Sequence, residues 1–141
     1  MNSVQIAIIS ARYRKEITDV MEKNCVETLI ASGIKEENIE VVPIPGALES
    51  GLVAKKLAQT KKFAAIIAFG CVLKGDTYHF EQIANESVRG CMKVSYEYEI
   101  PVIYEILIVY DMKHAHVRAA SRGQEGASTA IAMTQLLNTL S

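Results

Sequence analysis

Short apolar runs alternate with longer stretches of helical periodicity from one end of the chain to the other. Four of these runs have the length of strands, and they are almost continuously apolar rather than alternating. Continuous apolar runs are typical of strands that are buried on both faces of a sheet. The pattern predicts strands over 4–9, 39–44, 63–69 and 102–109.

Helical patterns fill the segments between these runs. The first helix carries its apolar residues at three- and four-residue spacing, and Gly33 follows at a position typical of a helix end. Its predicted buried positions are Ile17, Val20, Met21, Cys25 and Leu29. The second helix is predicted over 47–58, after a break at 43–46. The third starts near Thr77 and carries Phe80, Ile83, Ala84, Val88 and Cys91 on one side. The tail over 112–140 is predicted to be helical with a break near 123–126, where two glycines occur.

This alternation predicts an α/β fold with a parallel sheet that is covered by helices on both faces. We expect a single domain over 1–141, built as a three-layer α/β/α sandwich around a central, mainly parallel four-stranded sheet in a flavodoxin-like arrangement. Right-handed crossovers bring the carboxyl ends of such strands to one edge. The loops over 11–15, 43–50 and 71–79 should converge there, at the edge where open α/β sheets bind ligands.

Composition and charge narrow the classes of function. Half of the 141 residues are hydrophobic and 22% are charged, as in a globular domain. The net charge of −1 gives no electrostatic reason to expect nucleic acid or an anionic membrane as a partner. No apolar run reaches the ~20 residues that span a bilayer, so we expect a soluble protein. Cys25, Cys71 and Cys91 form no pair with metal-ligand spacing, and we expect buried, reduced thiols in a cytoplasmic protein.

The segment from Gly70 to Phe80 holds the best candidates for chemistry. A turn followed by a helix cap is the ordinary structural explanation of Lys74–Thr77. On the functional interpretation, Gly75 allows the backbone to approach a ligand closely, and the amides of Asp76 and Thr77 bind a phosphate. A histidine near a helix start is commonly a surface residue. His79, however, lies within a turn of this loop, and imidazole ordinarily exchanges protons near neutral pH.

Other candidate residues have an ordinary structural role as their alternative. Glu49, after Gly46, either complements a helix dipole or binds a polar substrate. Tyr13 and Tyr104 are either packing aromatics or platforms for a heterocycle. Arg118 and Arg122 are four residues apart and form either a solvated basic face or a clamp for phosphate. His114 and His116 are two apart on a helix, so they do not share a face as metal ligands would, and no metal site is expected.

Taken together, three segments resemble the 6,7-dimethyl-8-ribityllumazine synthase family. The longest is Gly70-Cys-Val-Leu-Lys-Gly-Asp-Thr-Tyr-His-Phe80 with Ala84-Asn-Glu86, which is similar to the family's GxVIRGxTxHFxxVANE segment. Val42-Pro-Ile-Pro-Gly-Ala-Leu-Glu49 is similar to its VPGAFE turn, and Ala11-Arg-Tyr-Arg-Lys-Glu-Ile-Thr18 to its RFNxxIT turn. The correspondence extends over essentially the whole chain.

The resemblance implies the condensation of 5-amino-6-(ribitylamino)uracil with 3,4-dihydroxy-2-butanone 4-phosphate, which releases phosphate and water and uses no metal or organic cofactor. It implies that His79 is the general acid/base and that Tyr13 stacks on the pyrimidine. It further implies that the ribityl chain contacts Ala47, Leu48 and Glu49. The pyrimidine would contact the backbone of Cys71, Val72 and Leu73, and the phosphate would bind to the amides of Asp76 and Thr77. Arg118 and Tyr104 would reach the site from a neighbouring subunit.

The resemblance also implies small-molecule substrates and a homo-oligomer. The family forms pentamers, or icosahedral shells of pentamers, and the resemblance also implies riboflavin synthase as a partner. Two related functions compete with the synthase: a non-catalytic flavin- or lumazine-binding, shell-forming homologue, and an archaeal-type riboflavin synthase. The chain departs from the family pattern at Glu125, where a lysine often contributes to the phosphate site, which leaves Arg122 as a candidate substitute.

Overall fold

A four-stranded parallel sheet forms the centre of the molecule. The computed structural model describes residues 3–141. The strands are β1 (Ile6–Ala11), β2 (Ile39–Ile44), β3 (Ala65–Leu73) and β4 (Val102–Val109). Their order is β2-β1-β3-β4, and every neighbouring pair is parallel. The predicted parallel, flavodoxin-like sheet is therefore confirmed, and its four carboxyl ends lie along one edge.

Helices cover both faces of this sheet. They are α1 (Lys15–Ala31), α2 (Ser50–Gln59), α3 (His79–Tyr98) and α4 (Met112–Leu140), with short 3-10 turns at Glu36–Asn38 and Ala47–Glu49. Alternate strand residues face opposite layers: Ile6 and Ile8 pack with α1 and α4, whereas Ala7 and Ile9 pack with α2 and α3. The two cores on either side of the sheet make the predicted three-layer sandwich.

The third strand is longer than its apolar run predicts. The sequence prediction ended it at Phe69 and gave the next residues to a loop, but β3 continues to Leu73. Residues 70–73 pair with 106–109 of β4, so the neighbouring strand supplies the hydrogen bonds that hold them extended. Cys71, Val72 and Leu73 are therefore presented by a rigid strand and not by a flexible loop.

The predicted break in the last helix is wrong, because α4 runs without interruption from Met112 to Leu140. Gly123 and Gly126 are buried within it. A Cβ added to Gly123 would lie 2.3 Å from the carbonyl oxygen of Met21, and one added to Gly126 would lie 3.1 Å from Phe69. These glycines serve the close approach of α4 to α1 and to the sheet, and they do not end the helix.

The buried faces of the helices largely follow the predicted periodicity. In α1, Ile17, Met21, Cys25 and Leu29 are buried as predicted, but Val20 lies at the margin and is 40% exposed. In α3 the buried side extends to Ser87, Cys91 and Val94, whereas Val88 is 38% exposed.

All three cysteines are buried and free, which confirms the predicted burial. Burial raises the pKa of Cys25 to about 12, and the nearby Glu105 and Glu22 carboxylates act in the same direction. Such a thiol is a poor nucleophile at neutral pH. Across residues 3–141, the helices lack the combination of length and apolar character that a membrane crossing requires.

Candidate functional site

A cavity of about 590 Å³ opens at the carboxyl edge of the sheet, beyond the ends of β1 and β3. This volume lies in the ordinary range of sites for small molecules. The cavity brings together predicted site residues from the ends of three strands and the segments that follow them: Tyr13, Ala47, Leu48, Glu49, Cys71, Val72, Leu73, Thr77 and His79.

The β1–α1 turn positions Tyr13 at the cavity. Backbone bonds continue the pairing with β2 beyond the strand end: Arg12 N–H donates to Ile44 O at 2.8 Å, and Tyr13 N–H donates to Pro45 O at 3.1 Å. The Thr18 hydroxyl donates to Ala11 O at 2.8 Å from a fully buried position. The backbone of Tyr13 is thus fixed while its ring stays 71% exposed, as suits a stacking platform.

The β2–α2 turn presents Glu49 to the cavity. Glu49 N–H donates to Gly46 O at 3.2 Å, and the buried Ser50 hydroxyl donates to Ala47 O at 2.6 Å, so the 3-10 turn is closed on itself. The half-buried Glu49 carboxylate folds back against Gly46, where an added Cβ would lie 3.3 Å from its Oε1. A carboxylate in this position accepts hydrogen bonds, which suits a hydroxyl-bearing ligand.

His79 is exposed and is the first residue of α3, as the sequence places it to within two residues. Its backbone N–H lies 3.4 Å from the Thr77 hydroxyl oxygen, an ST-turn contact that joins the loop to the helix. The loop is open at Gly75, because within residues 3–141 no heavy atom other than those of Gly75 and its two chain neighbours lies within 4 Å of the position a Cβ would take. The amino end of this 20-residue helix and an imidazole therefore border the same cavity.

Lys74 connects this loop to the end of the neighbouring strand. Its Nζ lies 5.6 Å from the ring centroid of Phe80, 5.8 Å from that of Tyr110, and 3.5 Å from Glu81 Oε2. Its backbone N–H donates to Val109 O at 2.9 Å. These contacts hold the start of the loop against β4.

Three predicted site residues do not line the cavity of their own chain: Asp76, Tyr104 and Arg118. The Tyr104 hydroxyl lies 2.7 Å from Ser87 Oγ on the α3 side of the sheet. Burial raises the pKa of Tyr104, and the Ser87 hydrogen bond opposes that shift. Arg118 is exposed on α4, where it donates to His114 O at 3.2 Å.

Arg122 is bound by carboxylates of its own chain. Its guanidinium lies 3.3 Å from Glu105 Oε1 and 3.5 Å from Glu125 Oε2. Burial raises the pKa of Glu105 to about 7, the Glu125 charge adds to this shift, and Arg122 opposes it. Arg122, which the sequence suggested as a phosphate-binding residue, therefore forms an ion pair with a buried carboxylate between β4 and α4.

Sequence reasoning missed several residues of the cavity: Arg14, Pro45, Phe80 and Ile83. Arg14 directly follows Tyr13 and Pro45 directly precedes Gly46. Their position beside residues already assigned to the site could have identified them from the sequence. In the part of the chain that the structure describes, no three His, Cys, Asp or Glu side chains cluster as metal ligands would.

Comparison with known proteins gives a consistent result over the whole length. The sequence model of the family described as 6,7-dimethyl-8-ribityllumazine synthase matches residues 3–139. The chain is 39% identical to the 6,7-dimethyl-8-ribityllumazine synthase of Paracidovorax citrulli, over 98% of this chain and 90% of that protein. It is 40% identical to the protein of the same name from Nitrosomonas europaea, over 99% of this chain and 85% of that protein. The chain therefore belongs to the 6,7-dimethyl-8-ribityllumazine synthase family.

Proposed function

We propose that the cavity at the carboxyl edge of the sheet condenses 5-amino-6-(ribitylamino)uracil with 3,4-dihydroxy-2-butanone 4-phosphate to 6,7-dimethyl-8-ribityllumazine, a step of riboflavin biosynthesis. The observation that carries the proposal is the assembly of Tyr13, Glu49 and His79 from three turns around one cavity. In this assignment Tyr13 stacks on the pyrimidine ring and Glu49 binds the ribityl hydroxyls beside Ala47 and Leu48.

The reaction requires proton transfers at three stages. The primary amine of the uracil attacks the carbonyl of the second substrate, and loss of water from the adduct gives an imine. Elimination then breaks the bond between carbon and phosphate oxygen as a proton leaves the carbon chain. Attack of the ribitylamino nitrogen on the remaining carbonyl, with loss of a second water, closes the ring. In this proposal His79, which lines the cavity, moves these protons, and general acid–base catalysis of this kind contributes ~10²–10⁴-fold.

The phosphate is assigned to the loop before α3. Backbone amides near Asp76 and Thr77 and the positive end of a 20-residue helix favour an anion, and donors fixed there stabilise the departing phosphate. Holding both substrates in one cavity supplies a further part of the acceleration. Cys71, Val72 and Leu73 present a rigid strand backbone to the pyrimidine.

A second subunit completes the site in this proposal. Arg118 and Tyr104 do not line their own chain's cavity, so we assign them to the site of a neighbour, where Arg118 binds the phosphate and Tyr104 covers the ring. A head-to-tail arrangement forms a ring when the rotation between neighbouring subunits closes, and a closed ring is the form proposed here. We propose a homopentamer, with an icosahedral shell of pentamers as its larger form, acting in the reducing cytoplasm and handing its product to riboflavin synthase.

Mixing the purified protein with both substrates tests the reaction. We expect lumazine absorbance to rise faster than in the protein-free mixture, with inorganic phosphate released in step with the product. Omission of either substrate is the control and should abolish the signal. A folded protein that gives no acceleration would refute catalysis and favour a non-catalytic homologue that only binds the product.

Co-assembly of two inactive variants tests the shared site. We expect His79→Ala and Arg118→Ala to be impaired separately, because each lacks one part of every site. After joint unfolding and reassembly at equal ratio, about a quarter of the interfaces in a ring would contain both intact residues, so activity should reappear. If the mixture is no more active than its separate components, the two residues do not act across an interface.

A further inference from the structure

The backbone of Arg14 has an unusual conformation at the edge of the cavity. Its φ is 135° and its ψ is 50°, whereas the other non-glycine residues with positive φ in the described chain, Lys61 and Glu99, have φ of 56° and 53° in the ordinary left-handed region. A non-glycine residue at such angles is strained, and strained residues cluster at binding sites.

Hydrogen bonds on both sides hold Arg14 in this conformation. Its N–H donates to Arg12 O at 3.1 Å, and its carbonyl accepts from Ile17 N–H at 2.9 Å and from Thr18 N–H at 3.1 Å. Thr18 is itself fixed to the end of β1 through its side chain. The surrounding turn and helix start therefore determine the direction in which the Arg14 side chain leaves the backbone.

The Arg14 side chain is a cation with unmet hydrogen-bonding capacity. It lines the cavity, and its Nε is buried with no hydrogen-bond partner in the described chain. Arg12, two residues earlier, lies 3.5 Å from Asp19, but none of the ion pairs within residues 3–141 includes Arg14. A buried donor without a partner costs free energy, which an acceptor on a bound ligand would recover.

The neighbours of Arg14 indicate which part of a ligand it would meet. Its guanidinium carbon lies 5.2 Å from the centroid of the Tyr13 ring, the proposed stacking platform. Burial raises the pKa of the Cys71 thiol and the charge of Arg14 opposes that shift, so the guanidinium is also an electrostatic neighbour of Cys71. Both neighbours belong to the part of the cavity that we assign to the heterocycle and not to the phosphate.

We propose that Arg14 is a specificity-determining residue that donates hydrogen bonds from its guanidinium to a ring carbonyl oxygen of the pyrimidinedione. The inference rests on the proposed function, because it takes a uracil ring to be the occupant of this part of the cavity. The planar guanidinium carries several donors in a fixed fork, whereas a uracil ring edge offers carbonyl acceptors. The backbone strain is then the cost of aiming this fork at the ring above Tyr13.

Two substitutions distinguish the effect of the Arg14 side chain from the effect of its backbone strain. Arg14→Gln removes the charge and the fork but keeps the strained backbone, whereas Arg14→Gly removes both. We expect both variants to raise KM for the uracil substrate about tenfold, the effect of losing a good hydrogen bond, and to leave KM for the phosphate substrate unchanged. The Tm of Arg14→Gly should equal or exceed that of the wild type. Arg12→Gln, which removes an exposed arginine outside the cavity, is the matched control and should leave both KM values unchanged.

The outcomes distinguish this inference from the proposed function. An unchanged KM for the uracil substrate in Arg14→Gln, or equal shifts for both substrates, would overturn the role of Arg14 while wild-type turnover still upheld the reaction. Calorimetric titration with the uracil substrate alone gives a second reading, in which Arg14→Gln should bind about tenfold more weakly than the wild type. A wild type that neither binds nor turns over this substrate would refute the inference together with the proposed function.

Discussion

The close contact between α1 and α4 makes Gly123→Ala the most sharply defined perturbation of the fold. An added methyl group would lie 2.3 Å from Met21 O and 3.0 Å from Met21 C and Cα. All three atoms are backbone, so no side-chain rotation relieves the clash. Carbon-to-oxygen contacts in proteins are ordinarily ~3.3–3.6 Å, so the two helices must separate by about 1 Å at this point.

The magnitude follows from two opposing effects. Overpacking a close contact costs ~1–3 kcal/mol, and a clash with helix backbone belongs at the upper end of that range. Replacing glycine by alanine within a helix raises the free energy of unfolding by about 1 kcal/mol. We therefore expect Gly123→Ala to lower the free energy of unfolding by about 2 kcal/mol.

Urea unfolding at one fixed protein concentration measures this change, because the proposed assembly would make apparent stability depend on concentration. Gly90→Ala in α3 is the matched control, because its added Cβ would lie 3.5 Å from Gly51 Cα, an ordinary contact. That variant should be stabilised by up to ~1 kcal/mol. If Gly123→Ala unfolds at the same urea concentration as the wild type, or at a higher one, the close helix contact is not present in solution.

Two further predictions concern buried polar groups. The folded pKa of Glu105, about 7, lies above its ordinary 4.5, so the folded state keeps this proton to a higher pH and the free energy of unfolding should fall as pH rises through that window. The Tm of the wild type relative to Glu105→Gln should therefore fall between pH 4.5 and pH 7, and a constant difference would contradict the assignment. Thr18→Val removes the hydroxyl bonded to Ala11 O and should cost ~1–3 kcal/mol by urea unfolding, whereas Thr18→Ser should retain most of the stability.

The apolar runs were enough to predict the sheet, because strands buried between two helical layers contain few polar residues. Glycine was harder to interpret from the sequence. Gly70 marked a loop in the prediction but lies inside β3, where pairing with β4 keeps the strand extended. Gly123 marked a helix end, but it permits helix packing. Both outcomes depend on a neighbour that is distant in sequence, which local patterns do not encode.

The sequence predicted which turns form the candidate site, but it did not predict the electrostatic environment of the charged residues. The residue patterns identified Tyr13, Glu49 and His79 as candidates, the resemblance to the family supplied their expected roles, and the structure brings all of them to one cavity. The positive φ of Arg14 and the pairing of Glu105 with Arg122 had no signal in the sequence. Each arises from the way a turn or a helix packs onto the sheet, and thus appears only in three dimensions.

The central claim is that His79 moves protons for a condensation carried out in this cavity. The most direct test compares kcat for lumazine formation in the wild type, His79→Ala and His116→Ala, with circular dichroism to verify folding. His116 is exposed on α4 outside the cavity, and its loss should leave kcat unchanged. We predict that His79→Ala lowers kcat by ~10²-fold or more. A folded His79→Ala variant that retains the wild-type kcat would contradict the account.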